Sequence, residues 1–161
     1  MTIVGTRIDN RLLHGMVATN WAPRSGANRV MIIDDHTATT PMLKESMKMG
    51  RPAGMAVSII TEEIALNNFT NHKYDHQKVY IVANNPRIFL KLQEIGVNIG
   101  NLVLGGTLTP ENPENYIKAS NRAYIAPDQV AIYKKIIANG SDIVIQYTPN
   151  DSENHLTSLL K

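Results

Sequence analysis

Cysteine is absent from the 161-residue chain. That excludes disulfides and thiolate metal sites, and it fits a cytoplasmic protein. No apolar run approaches the roughly 20 residues that span a bilayer. The N-terminus lacks the basic segment and apolar core of a secretory signal. Charge of one sign is scarce as well: 16 Lys and Arg against 14 Asp and Glu leave a net +2, too little to imply a nucleic-acid partner. Nucleotide motifs are also missing. No G-x-G-x-x-G follows the first apolar run, and Gly105-Gly106 lacks the lysine and Ser/Thr of a phosphate loop at the right spacing. There is no internal repeat, linker or low-complexity stretch. Hydrophobic residues make up 43% of the chain, a normal globular content. The length favours one domain, residues 1–161, with a sizeable core.

Short runs rich in Val and Ile alternate with helical patterns. Strands are expected over Thr2–Ile8, Arg29–Ile33, Ala56–Ile60, Lys78–Ala83, Asn101–Leu104 and Asp142–Tyr147. A first helix is expected from about Gly15 to before Pro23. A second has Thr40 as cap and Pro41 in its first position, and ends near Gly50. A third follows Thr61, with Glu62 and Glu63 in its first turn, where the helix dipole favours acids. A fourth has Asn85 as cap and Pro86 first, with Ile88, Phe89, Leu92 and Ile95 on one face before Gly96. A fifth begins at Pro127, buries Val130, Tyr133 and Ile137, and ends at Gly140. A last one is expected from about Asp151 to Leu160. This alternation gives an α/β fold: a doubly wound, mainly parallel open sheet with helices on both faces. The polar excursion Thr107–Asn115 breaks the rhythm. The irregular run Tyr116–Ile125 after it suggests one antiparallel edge strand.

Ligands of such sheets sit beyond the carboxyl ends of the strands, where the strand order reverses. Beyond the first strand lies Arg7-Ile8-Asp9-Asn10-Arg11-Leu12-Leu13-His14-Gly15-Met16-Val17. Histidine is nucleophilic near neutrality, and the arginine fork suits a phosphoryl group. Glycine lets a backbone approach a ligand closely. The combination suggests a phosphorylated histidine. His14 would be the nucleophile, Arg11 the cation, and the backbone amides after Gly15 a cradle at a helix start. Asp9 either orients His14 or Arg11 or caps the loop. Arg7, at the end of the strand, reads as structural. Asp34-Asp35-His36 and Asn84-Asn85 end the second and fourth strands, so Asp35 and Asn85 are candidates to face the same cleft. A metal reading of Asp34-Asp35-His36 lacks a further ligand at a telling spacing, and neither a metal nor a cofactor is called for. His72 and His76 read as a solvated loop, and His155 as a helix residue without a partner. Trp21 is four residues from Val17, and the two are expected to bury together.

The run Arg7–Trp21 resembles the opening of the IIB component of the mannose/fructose/sorbose family of the bacterial phosphotransferase system, whose pattern is roughly R-I-D-D-R-L-I-H-G-Q-V. Asn84-Asn85-Pro86, Val103–Gly106 and Ala126–Val130 fall where that family carries comparable loops. The resemblance implies a phosphotransferase. A IIA phosphohistidine would donate to His14, through Nδ1, and His14 would phosphorylate a sugar imported by the IIC and IID membrane subunits. It also implies a cytoplasmic protein peripherally associated with that permease, in a family often dimeric, which leaves a homo-oligomer open. Arg11 matches the arginine that assists the phosphoryl group, and Asp9 the aspartate of the same loop. Asn10, Leu13 and Met16 depart from the pattern. Arg11, Arg7, Arg24 and Arg87 are the candidate basic rim for partner docking. Two other readings compete: a histidine phosphatase or mutase, and a non-enzymatic ligand-binding or regulatory domain. The former would want arginine, not Leu13, immediately before the histidine.

Overall fold

A computed structural model describes residues 2–160. The strands are β1 (Thr2–Asp9), β2 (Arg29–Ile33), β3 (Ala56–Ile60), β4 (Lys78–Ala83), β5 (Leu102–Gly106), β6 (Ile117–Lys118), β7 (Tyr124–Ile125), β8 (Ile143–Ile145) and β9 (Asn154–His155). The α-helices are α1 (Asp35–Thr39), α2 (Pro41–Lys48), α3 (Glu62–Thr70), α4 (Arg87–Glu94) and α5 (Val130–Ala138). Among the described residues the main sheet runs in the order β3-β2-β4-β1-β5-β8-β9. Its pairs are parallel except β8 with β9.

Each central strand is buried on both sides, so side chains alternate between two cores. Met31, Ile33, Val79, Ile81 and Ala83 face the core beneath α3, α4 and α5, with Phe89, Leu92, Tyr133 and Ile136. Val30, Ile32, Tyr80 and Val82 face the other core, closed by Leu12, Leu13, Val17 and Ala22. The loop after β1 and the turn that follows it are therefore part of a core lid, and their apolar residues fix where the polar ones stand.

The fold places an opening where ligands of such sheets bind. β1 sends the chain toward β2 on one side, and its neighbour β5 sends it toward β8 on the other. Between their carboxyl ends lies the crevice of a topological switch point.

Several elements differ from expectation, each for a local reason. The antiparallel edge strand is β9, whereas Tyr116–Ile125 contributes β6 and β7, a separate antiparallel pair. The expected helix from Asp151 to Leu160 is absent. Gln146 Nε2 donates to the carbonyls of Pro149 and Asp151 at 3.2 and 2.9 Å, and the Asp151 carboxylate accepts from the Thr148 amide at 2.9 Å. That tied turn sends the chain back as β9 and a 3-10 turn, Leu156–Ser158, in which Leu156 is buried. His155 consequently lies on a strand and pairs with Asp142, Nδ1 to Oδ2 at 2.6 Å.

Asp34-Asp35-His36 is not a loop. Asp34 caps α1, its carboxylate accepting from the Thr37 amide and hydroxyl at 3.2 and 2.6 Å. Thr40 makes no side-chain cap for α2; its hydroxyl donates to the His36 carbonyl instead. Thr61 does cap α3, accepting from the Ile64 amide. The fourth helix starts at Arg87, one residue later than expected, and Ile95 lies past its end and is exposed. α5 follows a 3-10 turn at Pro127–Gln129, and its fully buried residues are Tyr133 and Ile136. The first helix winds as a π-helix over Val17–Trp21 and a 3-10 turn over Pro23–Ser25.

Candidate functional site

β1 ends by placing Arg7 and Asp9 on one side of the sheet, two residues apart, and both are buried. The loop that follows is pinned to the sheet. The Asn10 amide donates to the Gly106 carbonyl, and the Leu12 amide to the Asp9 carbonyl, each at 3.1 Å. The Arg11 amide donates to Asp9 Oδ1 at 2.9 Å. Leu12 sits at φ 60, a conformation that costs a branched side chain free energy. Burial of Leu12 and Leu13 in the second core offsets that cost. The loop geometry thereby holds His14 against Asp9.

The geometry of the cluster is specific. His14 Nε2–H donates to Asp9 Oδ2 at 2.8 Å, and Arg7 Nε–H donates to the same oxygen at 3.2 Å. Burial opposes the charge on Asp9. The hydrogen bonds from His14 and the Arg11 amide, with the Arg7 guanidinium beside it, outweigh that effect and hold its carboxyl below the ordinary value. An ionised carboxylate only accepts, so in the neutral imidazole the proton lies on Nε2 and the lone pair on Nδ1. Among the described residues Nδ1 has no hydrogen-bond partner. The His14 side chain is 7% exposed, less open than a docking residue is expected to be. It is hydrogen-bonded to Asp9 and stacks on Tyr147, with ring centroids 6.5 Å apart and planes at 24°.

Arg7 is not part of a basic rim. It is fully buried, and its remaining donors go to the carbonyls of Gln146 at 3.2 Å and Tyr147 at 3.0 Å. Trp21 lies across it, 4.9 Å from guanidinium carbon to ring centroid, and donates Nε1–H to the Tyr147 carbonyl at 2.8 Å. Trp21 does pack with Val17 in the second core. A β-carbon at position 105 would overlap the Arg7 guanidinium, which is why glycine stands there. Arg87 is committed too, in a two-oxygen pairing with Glu62 at 3.1 and 3.0 Å.

Beside the cluster the β1–β5 crevice opens into a pocket of about 240 Å³ lined by Asp9, Asn10, Arg11, Thr107, Arg122 and Tyr147, among others. His14 stands beside that lining, joined to it through Asp9 and Tyr147. Arg11 is exposed, and among the described residues its guanidinium has no hydrogen bond or ion pair. Gly15 stands exposed at the start of the following turn, and a side chain there would meet nothing within 4 Å.

The structure thus gathers His14, Arg11, Asp9 and Gly15. It does not bring Asp35 or Asn85 to them. The Asp35 carboxylate accepts from the Glu62 amide at 2.8 Å, at the start of α3, and the Asn85 side chain accepts from the Arg87 amide at 3.0 Å, at the start of α4. β4 stands between β1 and the strand that precedes Asp35. Reading from the sequence missed Tyr147 and Arg122. Tyr147 had a signal: it ends an expected strand, where a cleft residue belongs. Arg122 had none, since its segment carries no periodic pattern.

The family model described as the PTS system sorbose subfamily IIB component matches residues 3–161. The chain is 28% identical over 156 residues to the sorbose-specific EIIB component of Lacticaseibacillus casei, covering 97% of this chain and 93% of that protein. It is 24% identical over 160 residues to the mannose-specific EIIAB component of Escherichia coli K12, covering 99% of this chain and 49% of that longer protein. The crystal structure of the IIBSor domain of the sorbose permease from Klebsiella pneumoniae superposes with a TM-score of 0.89. That match covers 98% of this chain and 95% of that one at 23% identity, and it shows the fold.

Proposed function

Because the chain belongs to the sorbose subfamily of IIB components of the phosphotransferase system, we propose that it carries a phosphoryl group on Nδ1 of His14, between a IIA phosphohistidine and a sugar. The observation that carries this reading is the hydrogen bond of His14 Nε2–H to an ionised, buried Asp9, which leaves Nδ1 as the free base.

The chemistry follows from that arrangement. The Nδ1 lone pair attacks phosphorus in line with the donor's P–N bond. The new P–Nδ1 bond forms as the old one breaks, and the electron pair leaves with the donor nitrogen. The His14 ring then carries a positive charge, and Asp9 opposite Nε2 stabilises it. Arg11, with a guanidinium free of partners at the pocket edge, meets the charge on the three equatorial oxygens. In the second transfer a sugar hydroxyl oxygen attacks phosphorus, the P–Nδ1 bond breaks with its electrons returning to Nδ1, and the hydroxyl proton passes to water. The protein positions and neutralises, and no cofactor enters either step.

The partners are a IIA domain or protein and the IIC and IID membrane subunits. Among the described residues no helix is long and apolar enough to cross a membrane. In this reading the protein docks on the permease from the cytoplasm. Gly15, exposed and without a side chain, leaves the approach to the loop unobstructed.

The test is phosphorylation by phosphoenolpyruvate through the general phosphotransferase proteins and a IIA donor. The wild-type protein gains one acid-labile phosphoryl group by mass, and His14→Ala gains none while keeping its circular dichroism spectrum. A His14→Ala protein that still takes up phosphoryl overturns the assignment.

A further inference from the structure

We propose that Arg122 is the second cation of the phosphoryl site, acting with Arg11 on the group carried by His14. This rests on the reading of His14 as carrier and adds a residue that neither the sequence motif nor the fold assigns.

A phosphoryl group brings about two negative charges near neutrality. Of the cations near His14, Arg7 cannot answer them. It is fully buried, its charge is balanced by Asp9, and its donors are held by Asp9, Gln146 and Tyr147. Arg11 supplies one positive charge. The other guanidinium lining the same pocket is Arg122.

Its placement is built by the fold. Arg122 lies in the turn between β6 and β7. Its carbonyl accepts from the Thr107 amide at 2.9 Å, and its amide donates to the Ser120 hydroxyl at 3.1 Å. The Tyr124 amide donates to the Thr107 hydroxyl at 2.8 Å. The small β6–β7 sheet is thereby fastened to the chain leaving β5, at the mouth of the crevice. The Arg122 guanidinium carbon stands 4.0 Å over the centroid of the Tyr147 ring, the ring on which His14 stacks. The aromatic face steadies the cation, and the Asp151 carboxylate feels its charge without closing to an ion pair. Among the described residues the Arg122 guanidinium has no hydrogen bond or ion pair. An exposed cation stacked on a ring and lining a pocket shared with the Arg11 guanidinium suits a transient dianion. During transfer the donor's P–N bond breaks as P–Nδ1 forms, and charge spreads over three oxygens. Two guanidinium forks approaching from different elements can engage all three.

The experiment compares wild type, Arg122→Gln, Arg122→Lys and His14→Ala in the full chain, with a purified IIA donor. Single-turnover phosphorylation is followed by quench, and the phosphohistidine by 31P resonance across pH. Arg122→Gln should slow phosphorylation at least about tenfold, below the effect of a fully enclosed donor because the guanidinium is exposed to solvent. Its 31P titration midpoint should rise, since a lost cation disfavours the dianion, and Arg122→Lys should recover part of both effects. Thermal midpoints should stay within about a degree of wild type, as for an ordinary surface substitution. Wild-type rates and an unmoved 31P titration in Arg122→Gln, with His14→Ala inert, overturn the role of Arg122 and leave His14 standing. Phosphoryl uptake by His14→Ala overturns both.

Discussion

At the scale of single residues, Asp9 is the residue on which the site depends. It is buried, it accepts from Arg7, His14 and the Arg11 amide, and it fixes which imidazole nitrogen is free. Asp9→Asn keeps the shape but replaces the charge and turns donors toward donors. Breaking a buried ion pair on one side is strongly destabilising, so a loss of about 3 kcal/mol is expected from urea titration. The pH dependence follows from the lowered carboxyl. A depressed acid stabilises the fold fully above its ordinary value of 3.8, and that contribution is lost as pH falls through the lowered folded value. Wild-type stability should therefore fall more steeply than that of Asp9→Asn as pH is taken below 3.8. Parallel stability curves for the two proteins would remove the ionised Asp9 from the account. The sequence placed Asp9 between two roles, orienting a side chain and capping the loop. The structure shows both, because one oxygen takes the imidazole and the other takes the loop amide.

At the scale of elements, the strand ends matter most. β1 and β5 run side by side with Arg7 beside Val103 and Asp9 beside Gly106. The guanidinium fills the space a side chain at Gly105 would need. Gly105→Ala has no cheap relief, because Arg7 is enclosed and bonded on three sides. Overpacking of this kind costs about 1–3 kcal/mol. A matching loss of denaturant midpoint is expected, whereas Gly15→Ala, which opens into free space, should leave stability unchanged. Equal midpoints for both variants would show that Arg7 yields.

The same elements show what was legible. The parallel strands could be read because burial on both faces writes itself as unbroken Val and Ile runs, and His14 with Arg11 stood out as candidates because their motif is contiguous in sequence. The β9 turn, the α1 cap and the Arg122 turn could not. Each is decided by a polar side chain bonding backbone, Gln146 at Pro149 and Asp151, Asp34 at Thr37 and Thr107 at Tyr124, and no periodic pattern records it. Asp35 and Asn85 bond helix starts in the structure, for polar residues at strand ends serve those as readily as they serve a cleft.

At the scale of the whole molecule, the switch in strand order gathers residues from three separated stretches of chain. The β1 loop brings His14 and Arg11, the segment around β7 brings Arg122, and the end of β8 brings Tyr147. In the proposed role, a carrier that meets two partners in turn gains from having its reactive nitrogen fixed by the sheet and its exposed cations mounted on peripheral turns. The central strand is also chemically fastened to β8, next to the short edge strand β9 at the margin of the sheet. Arg7, near the carboxyl end of β1, donates to the carbonyls of Gln146 and Tyr147, just past β8. Marginal strands ordinarily open to solvent before the centre does. Here, peeling β8 away would strand a desolvated guanidinium, so opening at the margin carries the cost of opening the centre. Backbone protons of Ile143–Ile145 should therefore exchange with deuterium at rates close to those of Arg7 and Ile8. In Arg7→Met the two sets should separate, with the β8 protons becoming fast. If β8 already exchanges orders of magnitude faster than β1 in the unaltered protein, the margin and the centre are independent cooperative units.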